Sequence, residues 1–299
     1  MSRLSLKSGN DALSKLFKGI SEHEKGFLVA SRGVLRPIIN PLLLQLGLTE
    51  KTTTPFDLLD GACGTGLLTQ EVQDRVPKDV LAKSSFLCSD FSDQMVGIVN
   101  KRIEAEGWVN TKTAVLDAKN TGLPDNSFSH VGLGLSLHLI PGPDAVLADC
   151  KRILKPGGMF GATTFHKDNT FWIPDLRSAF AALPFPAPFP ETVEMQRHSD
   201  GDWTDDAWIE THLREQGFAD VNVTLNREKY YIKDAEEFLV TFSTMVAWLM
   251  NASWDEETRK AHPKEEVEGL LKKHLEEKYE GKGWDVEYAL ICMSGRVEK

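Results

Sequence analysis

Residues Asp57 to Gly66 read DLLDGACGTG, an apolar run closed by an acid and followed by glycines at 61, 64 and 66, immediately before the helical-looking Leu67-Leu68-Thr69-Gln70-Glu71-Val72. Glycine tolerates positive φ and lets a ligand approach the backbone, so the segment predicts a strand-to-helix turn shaped around a small molecule. Such a turn belongs to an open α/β sheet, in which ligands bind at the carboxyl ends of the strands. The spacing G-x-x-G-x-G is not the G-x-G-x-x-G of a dinucleotide fingerprint, and no Lys-Ser or Lys-Thr follows to make a phosphate-binding loop.

The downstream order narrows the ligand. An apolar strand Ser85-Phe86-Leu87-Cys88 ends in Ser89-Asp90-Phe91-Ser92, and Met95 follows one helical turn later. An acid ending the second strand can accept both hydroxyls of a ribose; an acid there can equally be a helix cap. Phe91 and Met95 supply apolar surface to a base, or simply join the core. A third strand, Thr113 to Leu116, ends in Asp117-Ala118, and the segment Gly122-Leu123-Pro124-Asp125-Asn126-Ser127-Phe128 precedes a buried strand from Val131 to Leu135. Ile153 to Gly161, with Pro156-Gly157-Gly158 as a turn, introduces a fifth strand.

In this order, over roughly residues 55 to 165, the landmarks resemble class I S-adenosylmethionine-dependent methyltransferases, whose first motif is an acid, one residue, then G-x-G-x-G. Ala62 stands where the first of those glycines would be, a departure that a methyl group survives if the chain there is merely close-packed. Ser129 and His130 replace the common Phe-Asp continuation, read as a surface change of little consequence. The resemblance implies an α/β fold: a Rossmann-like, seven-stranded, mostly parallel sheet with the last strand antiparallel and helices on both faces. It implies S-adenosyl-L-methionine as cofactor and S-adenosyl-L-homocysteine as product. It also implies a cofactor site made by Asp60, Gly61, Ala62, Gly64, Gly66, Asp90, Phe91, Met95, Asp117, Ala118 and Leu135, with Asp117 at the adenine amino group.

Composition limits the partners. The net charge of -10 argues against nucleic acid, whose phosphates are bound chiefly by Lys and Arg. The Asn-Pro-Pro-aromatic or Asp-Pro-Pro-aromatic tetrapeptide of nucleic-acid amino methyltransferases is replaced by Leu135-Ser136-Leu137-His138-Leu139-Ile140-Pro141. The longest apolar candidate for a membrane span, Phe238 to Met250, contains Thr241, Ser243 and Thr244, and Met1 to Lys7 lacks the apolar core of a secretory leader. Cys63, Cys88, Cys150 and Cys292 are scattered and read as reduced core thiols, with no metal framework. A cytoplasmic protein acting on a small molecule is the expectation.

Three regions lie outside the cofactor core. Residues 1–50 carry predicted helices at Asp11 to Ile20, Glu22 to Leu35, and Ile38 to Leu46 broken by Pro41; by resemblance they form a lid on a methyltransferase domain spanning 51–299. Residues 167–200 hold five prolines and five aromatics, and read as a substrate-facing cap or an exposed loop, with the aromatic content favouring the cap. Beyond Trp203 the pattern predicts a helix from Asp205 to Gln216, a strand from Ala219 to Tyr231, and an apolar helix from Asp234 to Met250. An amphipathic helix within Asp255 to Gly283 and a closing antiparallel strand from Trp284 to Met293 complete the chain.

Methyl transfer from a sulfonium is an in-line displacement that alignment and water exclusion accelerate, with a base optional. His138 and His166 follow the fourth and fifth strands, and either is a candidate base or a histidine in the pocket wall. Phe171, Trp172 and Trp248 are the candidate substrate pocket. Asp90-Phe91-Ser92, the Leu123-to-Phe128 segment and the aromatic cap are most similar to small methyltransferases of fungal secondary metabolism. That implies transfer to an O, N or S atom of an apolar molecule. Two other readings stay open: an enzyme of this fold that keeps the cofactor unconsumed for a pericyclic or dehydration step, and a non-catalytic regulatory binding protein.

Overall fold

The computed structural model describes residues 22–298. Seven strands, β1 (Asp57–Gly61), β2 (Ser85–Asp90), β3 (Thr111–Val115), β4 (Phe128–Leu133), β5 (Leu154–Phe165), β6 (Ala219–Ile232) and β7 (Trp284–Arg296), make one sheet in the order β3-β2-β1-β4-β5-β7-β6. β1 to β5 are parallel, and β7 runs antiparallel to both β5 and β6. Central β1 and β4 are buried along most of their length, as parallel strands covered on both faces must be. Edge strand β6 carries Arg227, Glu228 and Lys229 in its exposed half, which discourages pairing with another chain.

The elements follow the predicted pattern with a few informative differences. The stretch predicted from Glu22 to Leu35 is helical as α1 (Glu22–Arg32), and Pro41 does not break the next helix but sits in the first turn of α2 (Asn40–Leu46), where its missing N–H costs nothing. The predicted helix Asp11 to Ile20 lies outside the described residues. α3 (Leu67–Arg75), α4 (Lys78–Leu81), α5 (Asp93–Glu106) and α6 (Pro143–Ile153) alternate with the parallel strands. Pro156-Gly157-Gly158 does not turn the chain into β5; it is absorbed within that strand as a bulge, with Gly157 at φ +76° and the β4–β5 register shifted between Phe128 and His130.

The aromatic segment after β5 is partly helical, as α7 (Ile173–Ala181), and is followed by α8 (Asp206–Glu215) and α9 (Ala235–Ser253), the last kinked at Phe242. The single amphipathic helix predicted after Asp255 is two, α10 (Glu256–Ala261) and α11 (Lys264–Lys278). Pro263 forces His262 out of the helical region, at φ -128° and ψ 85°. Ser129, far from inconsequential, bonds both the N–H and the carbonyl of Asp57 (2.9 and 3.1 Å) and ties β4 to the start of β1.

The core lies on both faces of the sheet. Leu42, Leu46, Leu58, Leu68 and Phe86 pack one face beneath α2 and α3, while Phe160, Leu147, Trp203, Ile209 and Phe218 pack the other beneath α6 and α8. A third cluster joins α7, α9, α11 and the start of β7 around Phe238, Phe242, Leu271 and Trp284. Its polar centre is Asp175, buried, which accepts hydrogen bonds from Lys278 Nζ (2.8 Å), Tyr279 Oη (2.5 Å) and Trp284 Nε1 (2.9 Å). All four cysteines are buried as free thiols. No described helix is long and apolar enough to cross a membrane.

Candidate active site

The order β3-β2-β1-β4-β5 reverses direction between β1 and β4, so the segments leaving those two strands diverge and open a crevice at their carboxyl ends. Every landmark of the first five strands falls on that edge: the glycine turn after β1, Asp90 closing β2, Asp117 two residues past β3, Leu135 two past β4 and His166 directly after β5.

The glycine turn is braced from below. Asp60 is 2% exposed, and its Oδ2 accepts from the N–H (3.0 Å) and the hydroxyl (2.8 Å) of Thr69, holding the first turn of α3 against the end of β1. Burial pushes this carboxyl up to about 7 against the two Thr69 bonds, with the Asp90 charge adding to the push. Gly66 stands at φ +80°, and a Cβ there would lie 3.0 Å from the ring of Trp108. Gly64, at φ +52°, has nothing within 4 Å of where its Cβ would be. One glycine therefore serves packing, and the other leaves open space over the turn. Ala62 sits at φ +48° and packs against the core beneath α6, so its departure from glycine carries backbone strain as well as a packed methyl group.

Asp90 faces the turn. Its Oδ2 accepts from the N–H of Gly64 (2.9 Å) and its Oδ1 from that of Ser92 (3.0 Å), and the Asp90 carbonyl receives the N–H of Leu116 (3.0 Å). Each carboxylate oxygen keeps a lone pair for a further donor. The helix cap on α5 is Ser92, which accepts from the N–H of Met95 (3.4 Å), so Asp90 is not spent as a cap on that helix. Phe91 is 81% exposed beside it. Met95 packs with Ile98 and with Leu28 of α1. Asp117 is exposed, its Oδ1 accepting from the N–H of Lys119 (2.9 Å), and Ala118 packs into the core beneath α6. Leu135 adopts φ +55° and donates its N–H to the Thr163 hydroxyl (2.9 Å). Open space over Gly64, a carboxylate with spare acceptor capacity and an exposed ring make a cradle that fits an adenosine.

The other half of the edge is aromatic. His138 is 2% exposed, its Nδ1 buried with no hydrogen-bond partner among the described residues and its ring edge-on to Phe165 at 5.7 Å. Burial, helped by the neighbouring His198 and Arg197, lowers its pKa to about 3, so the ring is neutral at physiological pH. His166 accepts the Asp168 N–H on Nδ1 (3.1 Å), and Asp206 Oδ1 lies 3.7 Å from its Nε2. Phe171 and Trp172 are buried, Phe171 against Phe165, Phe242 and Tyr288, and Trp172 edge-on to Trp248. Trp248 carries the guanidinium of Arg197 on its face at 4.4 Å. A cavity of about 380 Å³ is walled by Phe189, Thr192, Arg197, Trp248 and Ala252.

Several of these groups were not legible in the sequence. Arg197 donates its N–H to the His138 carbonyl (2.8 Å), and His198 donates Nε2–H to that of Leu137 (2.8 Å), which stitches the cap to the turn after β4 across about sixty residues of chain. On either side of the crevice, Thr69 holds the Asp60 carboxylate and Thr163 holds the Leu135 N–H. Arg102, wholly buried, donates to the carbonyl of Thr65 within the glycine turn (2.6 Å); its only sequence signal is Glu106 one helical turn away.

The description "Methyltransferase domain" belongs to the family model that matches residues 58–158. Methyltransferase tpcH of Aspergillus fumigatus is 27% identical over 80% of this chain and 83% of its own. Acetylaranotin bis-thiomethyltransferase of Aspergillus terreus is 27% identical over 86% of this chain and 88% of its own. Among solved structures, the [4+2]-cyclase SpnF superposes with a TM-score of 0.50 at 16% identity, covering 88% of this chain and 81% of that one, a likeness of fold.

Proposed function

We propose that this class I S-adenosylmethionine-dependent methyltransferase transfers a methyl group to an O, N or S atom of an apolar small molecule of secondary metabolism. S-adenosyl-L-methionine is its cofactor and S-adenosyl-L-homocysteine the product. When bound, the cofactor supplies an electrophilic methyl group on a sulfonium. The observation that carries the acceptor reading is the pairing of β1 with β4, Leu58 to Asp60 against His130 to Gly132, which sends the glycine turn and the His138 turn out of the sheet as neighbours. The two relatives named as a methyltransferase and a bis-thiomethyltransferase, each similar over most of both chains, support the metabolite class.

In this reading Asp90 accepts the ribose hydroxyls, Gly64 gives the backbone clearance, Phe91 and Met95 flank the adenine, and Asp117 meets its amino group. Residues 167–200 act as the cap, with Phe171 and Trp172 shaping the pocket wall from behind and Trp248 facing the substrate. His138 accepts a hydrogen bond from the nucleophile and aims it. A ring of such low basicity is a poor acceptor of an alcohol proton, so thiols, phenols and amines, which need little help, suit the site best. His166, held by the Asp168 backbone beside Asp206, serves the pocket wall.

Incubation of the protein with the cofactor and a panel of apolar phenols, thiols and amines tests the reading. A product 14 mass units heavier (one CH₂) together with equimolar S-adenosyl-L-homocysteine is expected. A rearranged product of unchanged mass without S-adenosyl-L-homocysteine would replace transfer by the retained-cofactor reading.

A further inference from the structure

The ion pairs beneath the cofactor turn do not end at the turn. Arg102 Nη1 donates to the Thr65 carbonyl (2.6 Å) and its Nη2 to Gln70 Oε1, while its guanidinium lies 4.7 Å from the Trp108 ring centre. Trp108 is the ring that closes against Gly66. On its other side Arg102 is gripped by Glu106, through Nε to Oε1 (2.7 Å) and Nη2 to Oε2 (3.1 Å). The same Oε1 receives Arg32 Nη2 from α1 at 2.5 Å. Burial works against the Glu106 charge, yet the bonds from Arg102 and Arg32 hold its carboxyl below the usual glutamate range. Arg102 is fully buried, Glu106 is 14% exposed and Arg32 25%, so solvent screens this chain of charges far less than an ordinary surface pair.

We propose that Arg32, Glu106 and Arg102 form a positioning relay through which docking of α1 fixes the Thr65 carbonyl and so holds the glycine turn in its cofactor-binding form. The inference rests on the reading that the turn holds the cofactor. The Thr65 carbonyl lies between Gly64, whose N–H is committed to Asp90, and Gly66, whose N–H bonds the Cys63 carbonyl (2.8 Å). Rotation of the peptide planes from Gly64 to Gly66 is therefore restrained from three sides, and Arg102 supplies the restraint that reaches α1. Leu28 gives α1 an apolar seat on Ile98 of the same helix that carries Arg102 and Glu106. Docking of α1 and occupation of the turn are then coupled, and coupling is reciprocal: the cofactor stabilises docked α1 by the factor by which docked α1 tightens the cofactor.

Calorimetric titration of the full chain with S-adenosyl-L-homocysteine tests this in wild type, Arg32→Gln, Glu106→Gln and the double variant, with Arg214→Gln, which breaks a surface pair with Glu210, as control. Arg32→Gln is expected to weaken binding about tenfold, the double variant no more than Glu106→Gln alone, and Arg214→Gln not at all. Hydrogen exchange supplies a readout that mere destabilisation does not: the ligand slows exchange of amides 22–32 in wild type and not in Arg32→Gln. Wild-type binding with unchanged Arg32→Gln affinity, or additive losses in the double variant, would overturn the relay alone. Failure of the wild type to bind would remove the cofactor reading and the relay with it.

Discussion

The two halves of the strand-end crevice are built by opposite means. The β1–β3 half is backbone: a contiguous turn whose Gly64 N–H is tied to Asp90 and whose Thr65 carbonyl is tied to Arg102, with little side-chain surface between it and open space. The β4–β5 half is side chain: Phe165 and Arg197 beside His138, with Phe171 packed on Phe165 and Trp248 joining Arg197 to Trp172, drawn from segments scattered between residues 138 and 248. A ligand that is always the same can be met by fixed backbone, whereas an acceptor peculiar to one enzyme is met by replaceable rings. The division predicts that damage to the first half weakens cofactor binding, and that damage to the second alters turnover or the choice of acceptor and leaves cofactor affinity alone.

The sharpest way to break the comparison is Gly66→Val. Positive φ and the contact with Trp108 should together cost about 3 kcal/mol or more of folding stability, read as a fall in the urea midpoint; a stable variant would show that the turn has slack. Asp90→Ala should weaken cofactor binding by roughly 1.5 to 3 kcal/mol in calorimetry, since the ribose loses its acceptor and the Gly64 N–H its partner. Undiminished affinity would take Asp90 out of the site.

On the other half, His138→Ala should leave cofactor affinity unchanged and slow turnover about tenfold, the loss of one aiming hydrogen bond and not of a base. It should also alter acid stability. The wild-type ring binds a proton in the unfolded chain below its ordinary 6.5 but in the folded protein only near 3, so the folded state is favoured above 6.5 and loses that advantage as pH falls. At pH 5 the loss is roughly 2 kcal/mol, and the variant should be spared it. His130, lowered to about 4 by burial, acts in the same sense, whereas Asp60, raised to about 7, acts in the opposite one. Both are common to the two proteins, so the difference between their urea midpoints at pH 7 and pH 5 isolates His138. The smallest effect is expected of Gly64→Ala, about 1 kcal/mol of stability from positive φ alone, because its methyl group meets nothing in the free protein. Binding of the cofactor should suffer more than folding does, and equal losses would mean that the open space is not the cradle.

The backbone half was legible because its signals are local. A glycine whose φ must be positive, an acid closing a strand and a Ser three residues before Met95 announce themselves within a few positions, and the mostly parallel sheet came with the family resemblance those signals carry. Pro263 and Pro41 were equally local, but each admits two outcomes, a break or a helix start, which neighbouring residues decide. The side-chain half was legible only as composition. Nothing near Arg197 in the chain points to Trp248, fifty-one residues on, or to the His138 carbonyl, fifty-nine residues back; tertiary packing alone unites them. Arg102 was hidden for another reason: a helical Arg four residues before a Glu is usually a solvated pair, and only the fold turns it inward.

The buried cysteines carry a consequence of their own. A protein that handles an alkylating agent is exposed to its own reagent, and thiolate is the most easily alkylated group a protein owns. Cys63 lies inside the very turn expected to receive the sulfonium, yet hydrogen bonding with Cys88 and burial push its thiol well up from the ordinary value. Burial does the same to Cys150 and lifts Cys292 to about 12. For Cys63, Cys150 and Cys292 the packing that folds the chain also disfavours the thiolate, the form that would react with the methyl donor.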